Sequence, residues 1–574
     1  MKISKYLKPY WFWAVLTPLT MIGEVMADLW QPKLMEKLVN EGVLAGDQQL
    51  LIAVGLRMLL IVALGGLAGT SCSVFASLTS QNFACDLRKD VFKKAMGLSF
   101  QQTDQFTTGS LITRMTNDIT QMQHFVEQCL RMFVRSGMVF LGGIVMMLSL
   151  NSRFGLILLA ALPIQLVIMA LVLKAVNPLY AKVQKRLDHV NNVMQENVNG
   201  ARMVKAYVQE ERETDRFNAA NDALTDTNLK VSLIIARLFP LLSIIMNVSI
   251  VALIYLGGME VMAGKMEVGT IMAAITYNTQ VLHSVMMVSM MFQSIARGRA
   301  SGKRLMEVLD TQPVIQGGKH VPETLGEITL DNISFHYPGF EGRPVLKDLS
   351  LTIQPGENLA ILGATGSGKS SLIHLITRFY DVTEGEVRIG GTPINQFDLT
   401  ALRDKIAVVL QKSELFSGTV ADNIRWGKPD ATDEEIARAA KIAQAAEFIE
   451  QMPEQYETVI AEKGASLSGG QKQRLSIARA LVRQPELLIF DDSTSALDLA
   501  TEGKLRAAIQ QELKGTTLIT VAQRIASVKN CDRIIVLEDG GIAAMGTHEE
   551  LLATSPVYQD IYQSQTKEGG LIDG

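Results

Sequence analysis

The chain has 574 residues, 48% hydrophobic and 20% charged, with a formal charge of −4 at neutral pH. That length predicts more than one domain. The apolar share exceeds the need of a water-soluble enzyme, and the slightly acidic balance argues against a nucleic-acid partner, whose binder carries a basic surplus.

Residues 1–311 hold the long apolar stretches, and a helix needs about 20 such residues to cross a bilayer. Six spans are predicted: Trp11–Trp30, Leu50–Leu78, Cys129–Leu150, Phe154–Val176, Val231–Leu256 and Val268–Phe292. Met1 to Pro9 is short and basic, with no small-residue cleavage site after the apolar stretch, so no cleavable signal is expected. Cys72, Cys85, Cys129 and Cys531 show neither metal spacing nor a paired pattern, and since Cys72 and Cys129 lie in apolar stretches, buried thiols are the default there.

Only a few residues around Asn151-Ser152-Arg153 join the third and fourth spans, and Gly257–Glu267 joins the fifth and sixth. The connections from span two to three and from four to five are much longer. They carry Arg88, Lys89, Lys93, Lys94 and Arg114, then Lys182, Lys185, Arg186, Arg202, Lys205, Arg212 and Arg216. A Lys/Arg excess marks the cytoplasmic side, which puts both termini there as well. The long connections read as helix, with transverse turns near Phe100–Phe106 and Gly200–Tyr207 that could dock on a soluble domain.

Polar groups inside spans are costly and face a partner or a cavity. The candidates are Glu24, Asp28, Arg57, Arg131, Arg135, Gln165, Arg237 and Asn247. Glu24 and Asp28 share a helix face, and either pair with an arginine or meet a cationic substrate. Met286, Met287, Met290 and Met291 either pack ordinarily or line an adaptable pocket. Pro163 and Pro240 are candidate kinks. Residues 312–325, with Pro313, Gly317, Gly318 and Pro322, read as a linker into a second domain over 326–574.

That domain alternates short apolar runs with amphipathic stretches, as α/β folds do. Ile328–Phe335 is an edge-strand pattern, and Tyr337 just after it is a candidate to stack on adenine. The apolar run Asn358–Leu362 leads into Gly363-Ala364-Thr365-Gly366-Ser367-Gly368-Lys369-Ser370-Ser371, which fits the phosphate-binding loop G-x-x-x-x-G-K-[ST]. Its glycines let successive N–H groups face phosphate oxygens, Lys369 reaches the β/γ-phosphates, and the Ser370 hydroxyl suits Mg²⁺. A helix should follow, its N-terminus toward the anion.

Ile406–Leu410 is a strand pattern ending at Gln411, whose amide can reach the metal or the attacking water. Ser468-Gly469-Gly470-Gln471 opens a helical run and exposes backbone N–H groups. Leu487–Asp491 is an apolar strand ending in the carboxylate expected on the Mg²⁺ side. Asp492-Ser493-Thr494-Ser495-Ala496-Leu497-Asp498 follows, and Thr517–Ala522 is a further strand ending at Gln523.

The phosphate loop, Gln411, Leu467–Gln471 and Phe490–Asp498, in this order and spacing, resemble the nucleotide-binding domain of ABC transporters. The apolar half resembles the six-span exporter type of half-transporter. The fold class implied is an α-helical membrane domain fused to an α/β P-loop ATPase domain, working with ATP and Mg²⁺. By that resemblance two chains pair, and Ser468–Gln471 of one close over ATP held by the phosphate loop of the other. Leu415–Val420 looks like the segment that meets coupling helices, and Glu462–Gly464 like the segment before the signature.

Two positions depart from the family pattern. Asp492 stands where the family usually has the general-base Glu, and Gln523 where it usually has a His on the γ-phosphate. Asp is one methylene short, and Gln cannot become cationic. ATP binding is left intact by both changes, while hydrolysis should be slow. The pattern looks like the degenerate-site subunit of a heterodimeric exporter of lipophilic or amphipathic compounds, in contact with membrane lipid. Its own Ser468–Gln471 would serve a partner chain's site. A homodimeric lipid or peptide exporter and an ATP-gated channel or regulator are the alternatives.

Overall fold

The computed structural model describes residues 3–339, 342–494 and 497–569, and Ser495 and Ala496 lie outside them. The chain divides into two compact units. One comprises residues to Met96 with Gly109–Thr311, and the other Gly97–Thr108 with the chain from Gln312 onward.

The first unit is built from long helices. These are α1 (Trp11–Lys37), α2 (Gln48–Met96), α4 (Thr108–Leu150), α5 (Ser152–Asn199), α7 (Glu210–Met262) and α8 (Val268–Asp310). The short α3 (Phe100–Phe106) and α6 (Ala201–Ala206) stand at the two predicted transverse turns. Among the described residues, five helices are long and apolar enough to span a membrane, containing α1, α2, α4, α5 and α7. The sixth expected span forms a helix, α8, but Tyr277, Asn278, Gln280 and His283 interrupt its apolar run. Helices α5 and α7 continue through Pro163 and Pro240.

Small residues let these helices approach closely. A Cβ on Gly65 would lie 2.8 Å from that of Ala27, and one on Gly69 would lie 2.7 Å from Glu24 Oε2. The core gathers Met21, Val25, Leu29, Phe154, Leu158, Leu253, Tyr277 and Val281. The Tyr277 hydroxyl donates to the Leu29 carbonyl at 2.6 Å, since a buried hydroxyl must find an acceptor.

Of the two readings of Glu24 and Asp28, the structure shows arginine pairing. Arg135 on α4 bonds both, with Nη2 at 2.8 Å from Asp28 Oδ2. Two π turns, Arg114–Asp118 and Cys129–Phe133, interrupt the α-helical winding of α4, the second just ahead of Arg135. Gln165 donates to the Leu282 carbonyl at 2.8 Å, and Asn247 to the Ser243 carbonyl at 2.8 Å. Met291 is buried, Met286 and Met287 are half-buried, and the Met290 side chain is not among those described.

The second unit holds two main sheets. The first is antiparallel, in the order β2 (Leu346–Ile353), β1 (Ile328–Phe335), β4 (Glu384–Ile389), β5 (Thr392–Pro393). In the second, β12 (Gly541–Gly546) pairs antiparallel with β11 (Arg533–Glu538). Beyond β11 run β3 (Asn358–Gly363), β10 (Thr517–Val521), β9 (Leu487–Asp491) and β6 (Ile406–Val409), all parallel. The pair β7 (Gly418–Thr419) and β8 (Val459–Ile460) stands apart.

Every residue of β9 and β10 is buried, the mark of a parallel sheet covered on both faces. Leu330, Ile333, Phe335, Ile361, Leu372 and Ile489 share the core beneath the antiparallel sheet. Gly97–Thr108 packs within this unit, with Phe100 stacked on Phe379 at 4.3 Å and Tyr380 donating to Asp104 at 2.7 Å. Burial, reinforced by that carboxylate, pushes the Tyr380 phenol well above its ordinary range.

Candidate functional site

Strands β3, β9, β10 and β6 run the same way, so their carboxyl ends meet at one sheet edge, where open parallel sheets hold ligands. The residues just beyond those ends are the phosphate loop, Asp492, Gln523 and Gln411. The fold thus collects from four separate stretches what the sequence singled out one at a time.

After β3 the loop turns through Gly366 at φ +87° and Gly368 at φ +98°, which side chains other than glycine rarely adopt. A Cβ on Gly366 would meet nothing within 4 Å, so this bend faces open space, whereas one on Gly368 would lie 2.6 Å from Leu346 Cδ2. Gly368 then caps α9 (Lys369–Ile376), whose first N–H groups face the loop.

A cavity of about 340 Å³ opens there. Tyr337, Thr365, Gly366, Gly368, Lys369, Ser370, Ser371, Gln411, Asp491, Asp492 and Gln523 line it. Gly363, Ala364 and Ser367 are not among its lining residues. The Gly363 and Ala364 carbonyls accept from Lys369 Nζ at 2.9 and 2.7 Å, and the buried Ser367 Oγ has no protein partner. Ser468, Gly469, Gly470 and Gln471 are not in the cavity wall. They open α10 (Gly469–Leu481), with Ser468 and Gln471 bonded reciprocally as a capping box.

Burial holds the Lys369 ammonium below its ordinary pKa, against the pull of Asp492 and Asp491. Burial likewise raises the Asp491 carboxyl, opposed chiefly by the Ser370 hydroxyl, which donates to Asp491 Oδ1 at 3.0 Å. These residues fit Mg-ATP. An open glycine bend and a buried ammonium suit phosphate oxygens, and the Ser370–Asp491 pair offers the hard oxygen donors that Mg²⁺ takes. The bound metal would supply charge neutralisation at the phosphates.

Asp492 sits at φ +49°, a left-handed conformation that short polar side chains tolerate best. Its Oδ2 accepts from Gln523 Nε2 at 2.9 Å and from Gln411 Nε2 at 3.2 Å. The three residues therefore form one unit, a grouping that their separation in sequence concealed. Tyr337 OH lies 2.9 Å from Ser371 Oγ and 3.5 Å from His374 Nδ1, with its ring edge-on to Phe335 and Tyr380.

Sequence reading missed three contributors. Val345 and Val521 add apolar wall to the cavity. Gln565, on the C-terminal helix, bonds the backbone that carries Gln523. Val521 lies in the strand pattern Thr517–Ala522 without a sign that it would face the cavity, and Val345 and Gln565 belong to no recognisable local pattern.

The chain matches two family models, the ABC transporter transmembrane region over residues 14–285 and the ABC transporter domain over residues 346–495. It is 39% identical over 565 residues to a Bacillus subtilis (strain 168) protein called "Uncharacterized ABC transporter ATP-binding protein YfiB", covering 98% of each chain. It is 34% identical over 569 residues to a Chromobacterium violaceum protein called "ATP-dependent lipid A-core flippase", covering 99% of this chain and 97% of that one. Among solved structures it resembles a bacterial Atm1-family ABC exporter with ATP bound. The TM-score is 0.80 and the identity 28%, over 97% of this chain and 98% of the other.

Proposed function

Since the chain belongs to the ABC transporters, as an exporter-type half-transporter and multi-pass membrane protein that hydrolyses ATP with Mg²⁺, we propose that it is the slow-site subunit of a heterodimeric exporter of lipophilic or amphipathic compounds. In this reading residues 1–311 carry the substrate across the cell membrane. Residues 326–574, both termini and the ATP site lie in the cytoplasm, and residues 312–325 link the halves. Lys369 and the loop hold the phosphates, Ser370, Asp491 and Gln411 hold Mg²⁺, and Tyr337 packs against adenine. Ser468–Gln471 complete the partner's site, where most hydrolysis occurs.

The observation that carries this reading is the short carboxylate of Asp492, tied through one oxygen to two amides. A base on a longer side chain would reach further toward the attacking water, and a cationic neighbour would help at the γ-phosphate, which Gln523 cannot do. ATP bound here acts as a clamp between subunits, and cycles at the partner's site alternate inward-facing and outward-facing states.

The likeness to a protein called a lipid A-core flippase favours a second reading, a homodimer that moves a lipid with Asp492 as a slow base. Purification of the tagged chain from its own membrane separates the two. The first reading expects a second half-transporter to co-purify and the chain alone to turn over ATP at only a few per cent of the complex's rate. Robust ATPase activity from this chain alone would refute it.

A further inference from the structure

The C-terminal helix α11 (Pro556–Gly569) follows Thr547–Ser555 back onto the sheet. Tyr558 anchors it. That ring is fully buried among Leu551, Ile525, Val528 and Cys531, with its hydroxyl 2.6 Å from His548 Nδ1. Burial pushes the Tyr558 phenol up to about 12, in keeping with a fixed anchor.

Two turns further along, Gln565 makes a pair of opposed hydrogen bonds to the main chain. Its Nε2 donates to the Gln523 carbonyl at 2.7 Å, and its Oε1 accepts from the Ile525 N–H at 2.8 Å. One amide thereby satisfies both backbone groups of the turn that leaves β10, as a neighbouring strand would. The side chain of Gln523 then donates to Asp492. A continuous chain of hydrogen bonds thus runs from the C-terminal helix through this turn to the carboxylate at the ATP cavity.

We infer that Gln565 is a positioning residue for the ATP site, fixing the Gln523–Ile525 turn where the Gln523 amide can hold Asp492. The inference rests on the reading of Gln523 and Asp492 as members of that site. It makes the C-terminal helix part of the site's support, although none of the described side chains of α11 lines the cavity.

The test uses the full-length chain in lipid nanodiscs, with whatever chain co-purifies, as wild type, Gln523→Ala, Gln565→Ala and the double variant. The first readout needs no nucleotide. Hydrogen–deuterium exchange of the peptide spanning Thr520–Ser527 should speed up about tenfold in Gln565→Ala at the Ile525 amide. The second is single-turnover hydrolysis of labelled Mg-ATP, read on the slow phase, or on the single phase where only one is seen. Gln565→Ala should slow that phase about three- to tenfold while the half-saturating ATP concentration stays within about twofold, the size of effect a lost backbone bridge has on a held group.

Added to Gln523→Ala, the Gln565→Ala change should do nothing more, because it acts through that residue. Unchanged exchange, or rate effects that multiply in the double variant, overturn the proposal alone. A Gln523→Ala rate equal to wild type overturns the reading of Gln523 as a site residue, and the proposal with it.

Discussion

Replacing Asp492 by Glu is the sharpest single probe of the slow-site reading. The change adds one methylene, moving the carboxylate outward by about 1.5 Å. General-base catalysis contributes about 10²–10⁴-fold, and misplacement by about 1 Å costs on the order of 10²-fold. Restored reach should therefore raise the rate of the slow phase about 10- to 100-fold. The gain is not without cost. Asp492 sits at φ +49°, which a longer side chain tolerates less well than Asp, a penalty of about 1 kcal/mol. For a unit of this size that corresponds to a fall in Tm of about 2–4 °C.

The assay is single-turnover hydrolysis of γ-labelled ATP, run beside Asp492→Asn. The asparagine can still accept from Gln411 and Gln523 but cannot take a proton, so its slow phase should fall below wild type. If Asp492→Glu leaves the slow phase unchanged with ATP still bound, carboxylate reach does not limit this site and the reasoning fails. If Asp492→Asn matches wild type, Asp492 is not the base.

Other consequences follow from the same geometry. Tyr337→Ala should weaken ATP binding about 5- to 100-fold, the equivalent of about 1–3 kcal/mol of base stacking. Tyr337→Phe, which loses only the hydroxyl contacts to Ser371 and His374, should stay near wild type, and a nucleotide titration followed by fluorescence checks both. His374 is half-buried, and desolvation holds it below its ordinary value of 6.5. Its stabilising contribution is therefore full above pH 6.5 and declines as the pH falls from there toward the folded-state value, because the unfolded chain takes up the proton first. Thermal melts at pH 7.5 and 5.5 should show a smaller acid-side loss in His374→Gln than in wild type. Arg135→Leu leaves the half-buried Glu24 and Asp28 without this cation and should destabilise the helix bundle by about 1 kcal/mol. Adding Glu24→Gln and Asp28→Asn should restore most of that loss in a detergent-challenge melt, since no carboxylate is then left without its cation.

The parts of this molecule legible in sequence are those set by local rules. Alternation gives β1, short apolar runs give β9 and β10, and the spacing of Gly363, Gly368 and Lys369 gives the loop together with its flanking strand and helix. The transverse turns were visible because long helical patterns broke at Phe100 and at Gly200. Harder to read was everything decided by packing between distant stretches. Whether Glu24 and Asp28 find an arginine depends on the way α4 faces α1, which no window of residues contains. The span in α8 is diluted by Tyr277 and Asn278, whose hydroxyl and amide nitrogen donate to Leu29 and Ser249 on other helices. Asp492, Gln411 and Gln523 were each identified, yet their convergence on one oxygen comes from the order of strands in the parallel sheet. Gln565 carried no signal, since a glutamine late in an amphipathic helix is an ordinary surface residue until its partners are known.

The π turn at Cys129–Phe133 sets the phase of everything beyond it in α4. One residue more or less in a helix rotates the following side chains by about 100° about the axis, because a turn holds about 3.6 residues. Arg135 lies just past that turn, so shortening it by a single residue would swing the guanidinium off the α1 side by more than a quarter circle. Glu24 and Asp28 would then lose their bonds to Arg135, although no charged residue had been changed. Along this stretch the chain should therefore accept many substitutions but no change of length. A one-residue deletion there would act on charge pairing as severely as removing the arginine itself.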